Sequence, residues 1–272
     1  MEFHRLDRAR SIESEVAVAG DWHGDLRHVP ALLARVHLAR PNVRTVLQLG
    51  DFGIGRQVSP VFLDAIERMA NTLDLRIFVT PGSYDDWGAL HHAFATRPDR
   101  PMQLTEHVYA LPRGLRFVLG GRSFLSFGGA APTSSRNSAL HAENVTPTSA
   151  EVERAAHGGQ VDVLLLHEAV DEGVRQVDTK IRYEAARGRI SADTLEAARR
   201  SRALVSDLRS RVQPRVTLHA HMHIRGARRT PDATVVSLNR ENRAGNIGFL
   251  RLPTLDFTWL EQATSDRTAH AH

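Results

Sequence analysis

Asp21 and His23, in "GDWHGD", stand two positions apart directly after the apolar run "VAVA". Asp51 closes "VLQLGD", His167 follows "VDVLLL", and His219, His221 and His223 alternate in "VTLHAHMH". A further loop, "PGSYDD" at 81–86, offers Ser83, Tyr84, Asp85 and Asp86 after the run "RIFVT". Cysteine is absent from the 272 residues, so disulfides and thiolate metal sites are excluded. What remains, imidazole with carboxylate, suits Mn²⁺, Fe or Zn²⁺ better than Ca²⁺ or Mg²⁺. Any one of these residues is ordinarily a helix cap or a core histidine. Their shared position at the carboxyl end of an apolar run makes a single metal crevice the sharper reading.

The elements that would carry them alternate. Residues 15–20 read as a buried strand, 26–39 as an amphipathic helix, "VRTVLQLG" as a second strand, 60–73 as a helix and "LRIFVT" as a third strand. This order predicts an α/β sandwich built on βαβ units. Three short strands within 106–130, "VYAL", "LRFVLGG" and "SFLSFGG", are expected to form an antiparallel part of the same core. Thr148 and Glu151 form a capping box, and 193–212 reads as a helix capped by Asp193. Residues 171–190 are charged and weakly patterned, and 131–147 read as a polar loop. In a strand, residues two apart point the same way, so Asp21 with His23, and His221 with His223, can share a focus. His219 has the same parity, which leaves it open.

The ordered series "GDWHGD", "GDFG", "PGSYDD", "LLLHE", "HAHMH" resembles the calcineurin-like metallophosphoesterase family, whose pattern is D-x-H, GD, GNH[DE], a lone His and GHxH. The resemblance runs from Asp21 to His223. It implies a four-layer αββα sandwich holding two divalent ions, with manganese ahead of iron or zinc. It assigns Asp21, His23 and His223 to the first metal, Asp51 to a bridge between both, and His167 and His221 to the second. It leaves His219 as a core or supporting histidine. The implied chemistry is phosphoester hydrolysis by in-line attack of a metal-bridging hydroxide, with no protein nucleophile.

Two positions depart from that pattern. Ser83 stands where the family has the asparagine that binds the second metal, and Tyr84 where it has the histidine that protonates the leaving group. A serine hydroxyl is a short, poor ligand, so the second site is expected to be weaker. Asp85 matches the closing acid of the motif, and neighbouring Asp86 is a candidate to compensate. Ala220 replaces the glycine of GHxH. Diesters with acidic leaving groups and strained 2′,3′-cyclic nucleotides depend least on a donated proton, so phosphodiesterase activity is expected ahead of phosphomonoesterase activity. The alternatives are a weakly active or inactive scaffold for protein contacts, and a nuclease of the DNA-repair type. The second ranks lower because the chain ends about 50 residues beyond His223.

Composition adds limits. The formal charge is +4 with a pI near 10.2, and Lys180 is the single lysine among 35 basic residues. Arginine grips phosphate oxygens in pairs, although a GC-rich coding sequence is the better explanation of its abundance. No dense basic run marks a nucleic-acid stripe, so a small nucleotide-like phosphoester is the expected partner. Arg136, Asn137 and Arg175 are candidate contacts to it. No signal-peptide core or membrane-length apolar run is present, so a cytoplasmic location is expected. Residues 1–262 are expected to form a single domain and 263–272 a disordered tail.

Overall fold

The computed structural model describes residues 4–6, 13–55, 60–131, 144–187 and 191–261. The candidate contacts Arg136 and Asn137, most of the 131–147 loop and the 263–272 tail lie outside them.

In chain order the strands are β1 His4–Arg5, β2 Glu15–Ala19, β3 Thr45–Gln48, β4 Arg76–Val79, β5 Met102–Gln103, β6 Val108–Ala110 and β7 Leu115–Leu119. They continue with β8 Arg122–Phe127, β9 Val163–Leu166, β10 Val216–His219, β11 Gly226–Arg229, β12 Thr234–Ser237, β13 Ile247–Arg251 and β14 Phe257–Trp259. The helices are α1 Val29–Ala39, α2 Pro60–Thr72, α3 Trp87–Thr96, α4 Ser149–Ala156, α5 Arg175–Ala186 and α6 Ala192–Val212.

One sheet runs β14-β13-β2-β3-β4-β6-β5, with β2, β3, β4 and β6 parallel. The other runs β1-β7-β8-β9-β10-β12-β11, with β8, β9, β10 and β12 parallel. Alternation within each strand makes the layers. In β2, Val16 and Val18 enter a core shared with Leu47, Phe78, Leu165 and Leu218 between the sheets, while Ala17 and Ala19 pack outward with Leu33 of α1 and Ile66 of α2. On the far side Leu164 and Leu166 of β9 pack against Val152 of α4, Val177 of α5 and Val205 of α6. The result is the expected four-layer αββα sandwich. Burial on both faces explains why the strands read as unbroken apolar runs. No helix among the described residues is long and apolar enough to cross a membrane.

Several local expectations need correction. Residues 171–190 contain a full helix, α5, whose signal is faint because Val177 is its one buried residue. α6 is capped by Ser191, which accepts from the Thr194 N–H, and Asp193 instead sits in the first turn, where its charge complements the helix dipole. α1 starts at Val29 because Asp25 folds 25–28 into a turn, accepting from the N–H groups of Arg27 and His28. β6 joins the first sheet parallel to β4; of the three short strands at 106–130, the pair β7 and β8 is antiparallel, in the second sheet. The Thr148–Glu151 capping box is present at α4.

Candidate metal centre

β2, β3 and β4 of one sheet and β9 and β10 of the other end at one crevice, and the loops beyond them bring the ligand-type residues together. Two groups form. Asp21, His23, Asp51 and His223 each offer an atom within 4.8 Å of the others, as do Asp51, His167 and His221. Asp51 belongs to both.

The loops are locked to one another by their backbones. The N–H groups of Trp22 and His23 donate to the Asp51 carbonyl at 3.1 and 2.6 Å. Buried Gln48 donates to the carbonyls of Gly20 and Gly50 and accepts from the Gly50 N–H. Gly50 has φ +94°, and a Cβ there would meet Nδ1 of His167 at 2.5 Å. Gly82 is equally obligatory, since a Cβ would lie 2.1 Å from the Asp51 nitrogen. Gly20 serves by close approach to the Asn239 carbonyl rather than by an unusual φ.

Strand parity does not place the histidines. β10 stops at His219, and His23, His221 and His223 take left-handed backbones, with φ of 45°, 62° and 50°; Asp51 does the same at 49°. Such conformations cost non-glycine residues about 1–3 kcal/mol each and persist where surrounding contacts enforce them. The turned backbone aims His221 and His223 into the crevice. His219, still in the strand, is fully buried outside both groups, and burial with the nearby His167 charge pushes its ring down to about 4.

Orientation of each ring follows from its second nitrogen. His167 Nδ1 lies 2.7 Å from the Leu49 carbonyl, which can only accept, so Nε2 faces Asp51 at 3.2 Å and His221 Nδ1 at 3.1 Å. His23 Nδ1 lies 3.0 Å from Glu241, leaving Nε2 at 3.6 Å from Asp51. His223 Nε2 lies 2.6 Å from Asp21 Oδ2. That oxygen is buried yet accepts no well-directed hydrogen bond, an acceptor suited to a cation.

The electrostatics describe a cation-hungry site. Burial disfavours charge on His23, but hydrogen bonds to Asp51 and Glu241 and the charges of Asp21 and Asp51 outweigh it, and the ring is pushed up to about 10. His167 is likewise pushed up to about 10, against burial, by Asp51 and Asp21. Asp51 resists burial and is held well below the usual carboxylate range by His167, His23 and His221. Burial and the His167 charge hold His221 well below an ordinary imidazole. Protons thus occupy positions that divalent cations would take. Buried and half-buried mixed donors, a shared carboxylate and a buried oxygen without a well-directed hydrogen bond fit a pair of divalent ions.

Ser83 is buried at the second group, its Oγ 3.3 Å from Asp51 Oδ1 and 3.5 Å from His167 Nε2. The Tyr84 N–H donates to Asp51 Oδ1 at 2.7 Å, and its ring, 42% exposed, stands edge-on to His23. Asp85 is buried and accepts from the N–H groups of Gly53, Ile54 and Gly82 at 2.7–2.8 Å, so its carboxylate ties the β3 loop to the β4 loop. Asp86 caps α3 by accepting from Ala89 and does not compensate for Ser83. Glu241 and Asn246, whose amide donates to the Asp21 carbonyl, are site residues that no motif signalled.

The chain belongs to the calcineurin-like phosphoesterase family, whose model matches residues 14–225. This places it among the metal-dependent phosphoester hydrolases. No curated protein sequence matches it. Among solved structures it is similar in fold to a protein of Thermus thermophilus, at 11% identity and TM-score 0.55, covering 91% of this chain and 98% of that one. It is also similar to a dimetal phosphatase from Danio rerio, at 14% identity and TM-score 0.53, covering 89% and 93%.

Proposed function

We propose that this chain is a phosphodiesterase that holds two divalent ions, manganese foremost, and acts on a small nucleotide-like diester such as a 2′,3′-cyclic nucleotide. The observation that carries the reading is Asp51, one carboxylate belonging to two ligand groups at once. Asp21, His23 and His223 complete one position; His167, His221 and Ser83 complete the other. Bound there, two cations supply an activated water and neutralise charge on the phosphoryl group.

The chain's own residues support this reading. Asp51 is fixed by the Tyr84 N–H, His23 is oriented by Glu241, and Asp85 keeps both loops in place. Tyr84 occupies the position of the family's leaving-group acid. A phenol with an ordinary pKa near 10 is a weaker acid than imidazolium, and general acid catalysis contributes roughly 10²–10⁴ in rate. Esters that need that proton least, with acidic leaving groups or strained rings, are therefore favoured.

The test is hydrolysis by the metal-stripped protein reloaded with Mn²⁺, compared across an aryl diester, an aryl monoester, a 2′,3′-cyclic nucleotide and an alkyl monophosphate. Turnover of the diester and cyclic substrate, abolished by chelator, is expected. Preference for the alkyl monophosphate would overturn the substrate class, and absence of all turnover would favour a scaffold.

A further inference from the structure

Beside the second ligand group lies a cavity of about 290 Å³ that the metal chemistry does not use. α5 contributes Lys180, Ile181 and Glu184, α6 contributes Leu195 and Arg202, and the loop after β10 contributes His221, Met222 and His223. The cavity therefore opens on two candidate ligands.

Lys180 reaches into this corner from α5. Its Nζ donates at 2.7 Å to the carbonyl of Met222, the residue between His221 and His223. Among the described residues one carbonyl engages one of the three ammonium hydrogens, and two remain for a ligand. Arg202, the other cation of the cavity, is already paired with Asp171 at 3.0 Å. Burial and the Arg240 charge depress the Lys180 ammonium against the attraction of Glu184 and Asp21.

We propose that this cavity seats the organic group of the substrate and that Lys180 donates to a non-bridging phosphoryl oxygen, making it a specificity-determining residue. The inference rests on the phosphodiesterase reading above. The volume is near the lower bound of small-molecule pockets, which suits a compact alcohol moiety. Glu168 and Glu184 in the lining favour one bearing hydroxyl or amino donors.

Because Lys180 is the chain's single lysine, it can be followed chemically. The full-length protein, metal-free and Mn²⁺-loaded, is treated with an amine-acylating reagent with and without inorganic phosphate, and modification of Lys180 is read by peptide mass spectrometry. Phosphate should slow acylation about tenfold or more in the Mn²⁺-loaded protein. Lys180→Met should weaken inorganic phosphate binding and raise KM for the aryl diester by about tenfold, with kcat changed less, and Lys180→Arg should restore part of it. Unchanged Mn²⁺ affinity in calorimetry confirms that the variant is folded. Acylation indifferent to saturating phosphate, or unaltered phosphate affinity in Lys180→Met, overturns the assignment. If the natural protein hydrolyses no phosphoester, the phosphodiesterase reading fails, while the acylation result still decides whether Lys180 binds phosphate.

Discussion

His23 and Glu241 meet at 3.0 Å, imidazole Nδ1 to carboxylate oxygen, across 218 residues of sequence. The contact keeps a hydrogen on Nδ1 and leaves Nε2, whose proton a cation would displace, toward Asp51. Partners of this kind typically contribute 10–100-fold to metal affinity. Glu241→Ala should weaken the tighter Mn²⁺ site by about that factor, whereas Glu241→Gln, which keeps an acceptor, should lose less. Calorimetric titration measures both, and equal affinities across the three proteins would remove Glu241 from the site.

Asp51 is shared by both ligand groups, so its loss should be felt at both. Asp51→Asn removes a negative charge from between the two proposed cation positions and is expected to lower turnover of an aryl diester on the order of a hundredfold or more. Near-normal turnover with Mn²⁺ supplied contradicts the assignment.

The two sites should differ in affinity. The first has Asp21, His23, Asp51 and His223, while the second has Asp51, His167 and His221, with a serine hydroxyl 3.5 Å from His167 in place of an amide. Mn²⁺ titration is expected to resolve a tighter and a weaker event, with Ser83→Asn tightening the weaker. Two indistinguishable tight events in the natural protein would count against this.

Tyr84→His would place an imidazole beside His23, at the position proposed for the leaving-group acid. Monoesterase activity should rise relative to diesterase activity, by up to the roughly 10²-fold lower range of general acid catalysis. The ratio of alkyl monophosphate to aryl diester kcat/KM is the measurement, and an unchanged ratio excludes Tyr84 as the determinant of that preference.

Metal loading should release protons. In the metal-free protein His23 and His167 are both pushed up to about 10, so at pH 8 each still holds the proton that a cation must displace. Apparent Mn²⁺ affinity should therefore rise with pH across this range, and binding heats should depend on the buffer's ionisation enthalpy. The same raised values imply that these histidines contribute stability below about pH 6.5, their unfolded value, and that it is lost as pH rises toward 10. Thermal unfolding of the metal-free chain should decline over that window, and a flat profile would contradict the shifts.

The identities of Asp21, Asp51, His167, His221 and His223 were legible because each follows an apolar run, and the ends of parallel strands converge whatever the details of packing. The Thr148 box was legible for a similar reason, since capping is a contact three residues long. Non-local contacts decided the rest. The left-handed turns at His23, His221 and His223 carry no glycine signal and are imposed by bonds such as His221 N–H to Asp21 at 3.2 Å, spanning 200 residues. Glu241 reaches His23 from the connection between β12 and β13, and no local pattern distinguishes it from a surface acid. α5 escaped because a helix burying one residue has almost no periodicity, yet it delivers Lys180 to the cavity beside the ligands. Sequence alone determined which chemistry the chain could hold, because ligand type is a property of the residue. Only tertiary structure decided how each ligand is aimed and what lines the pocket, because those depend on contacts between residues far apart in the chain.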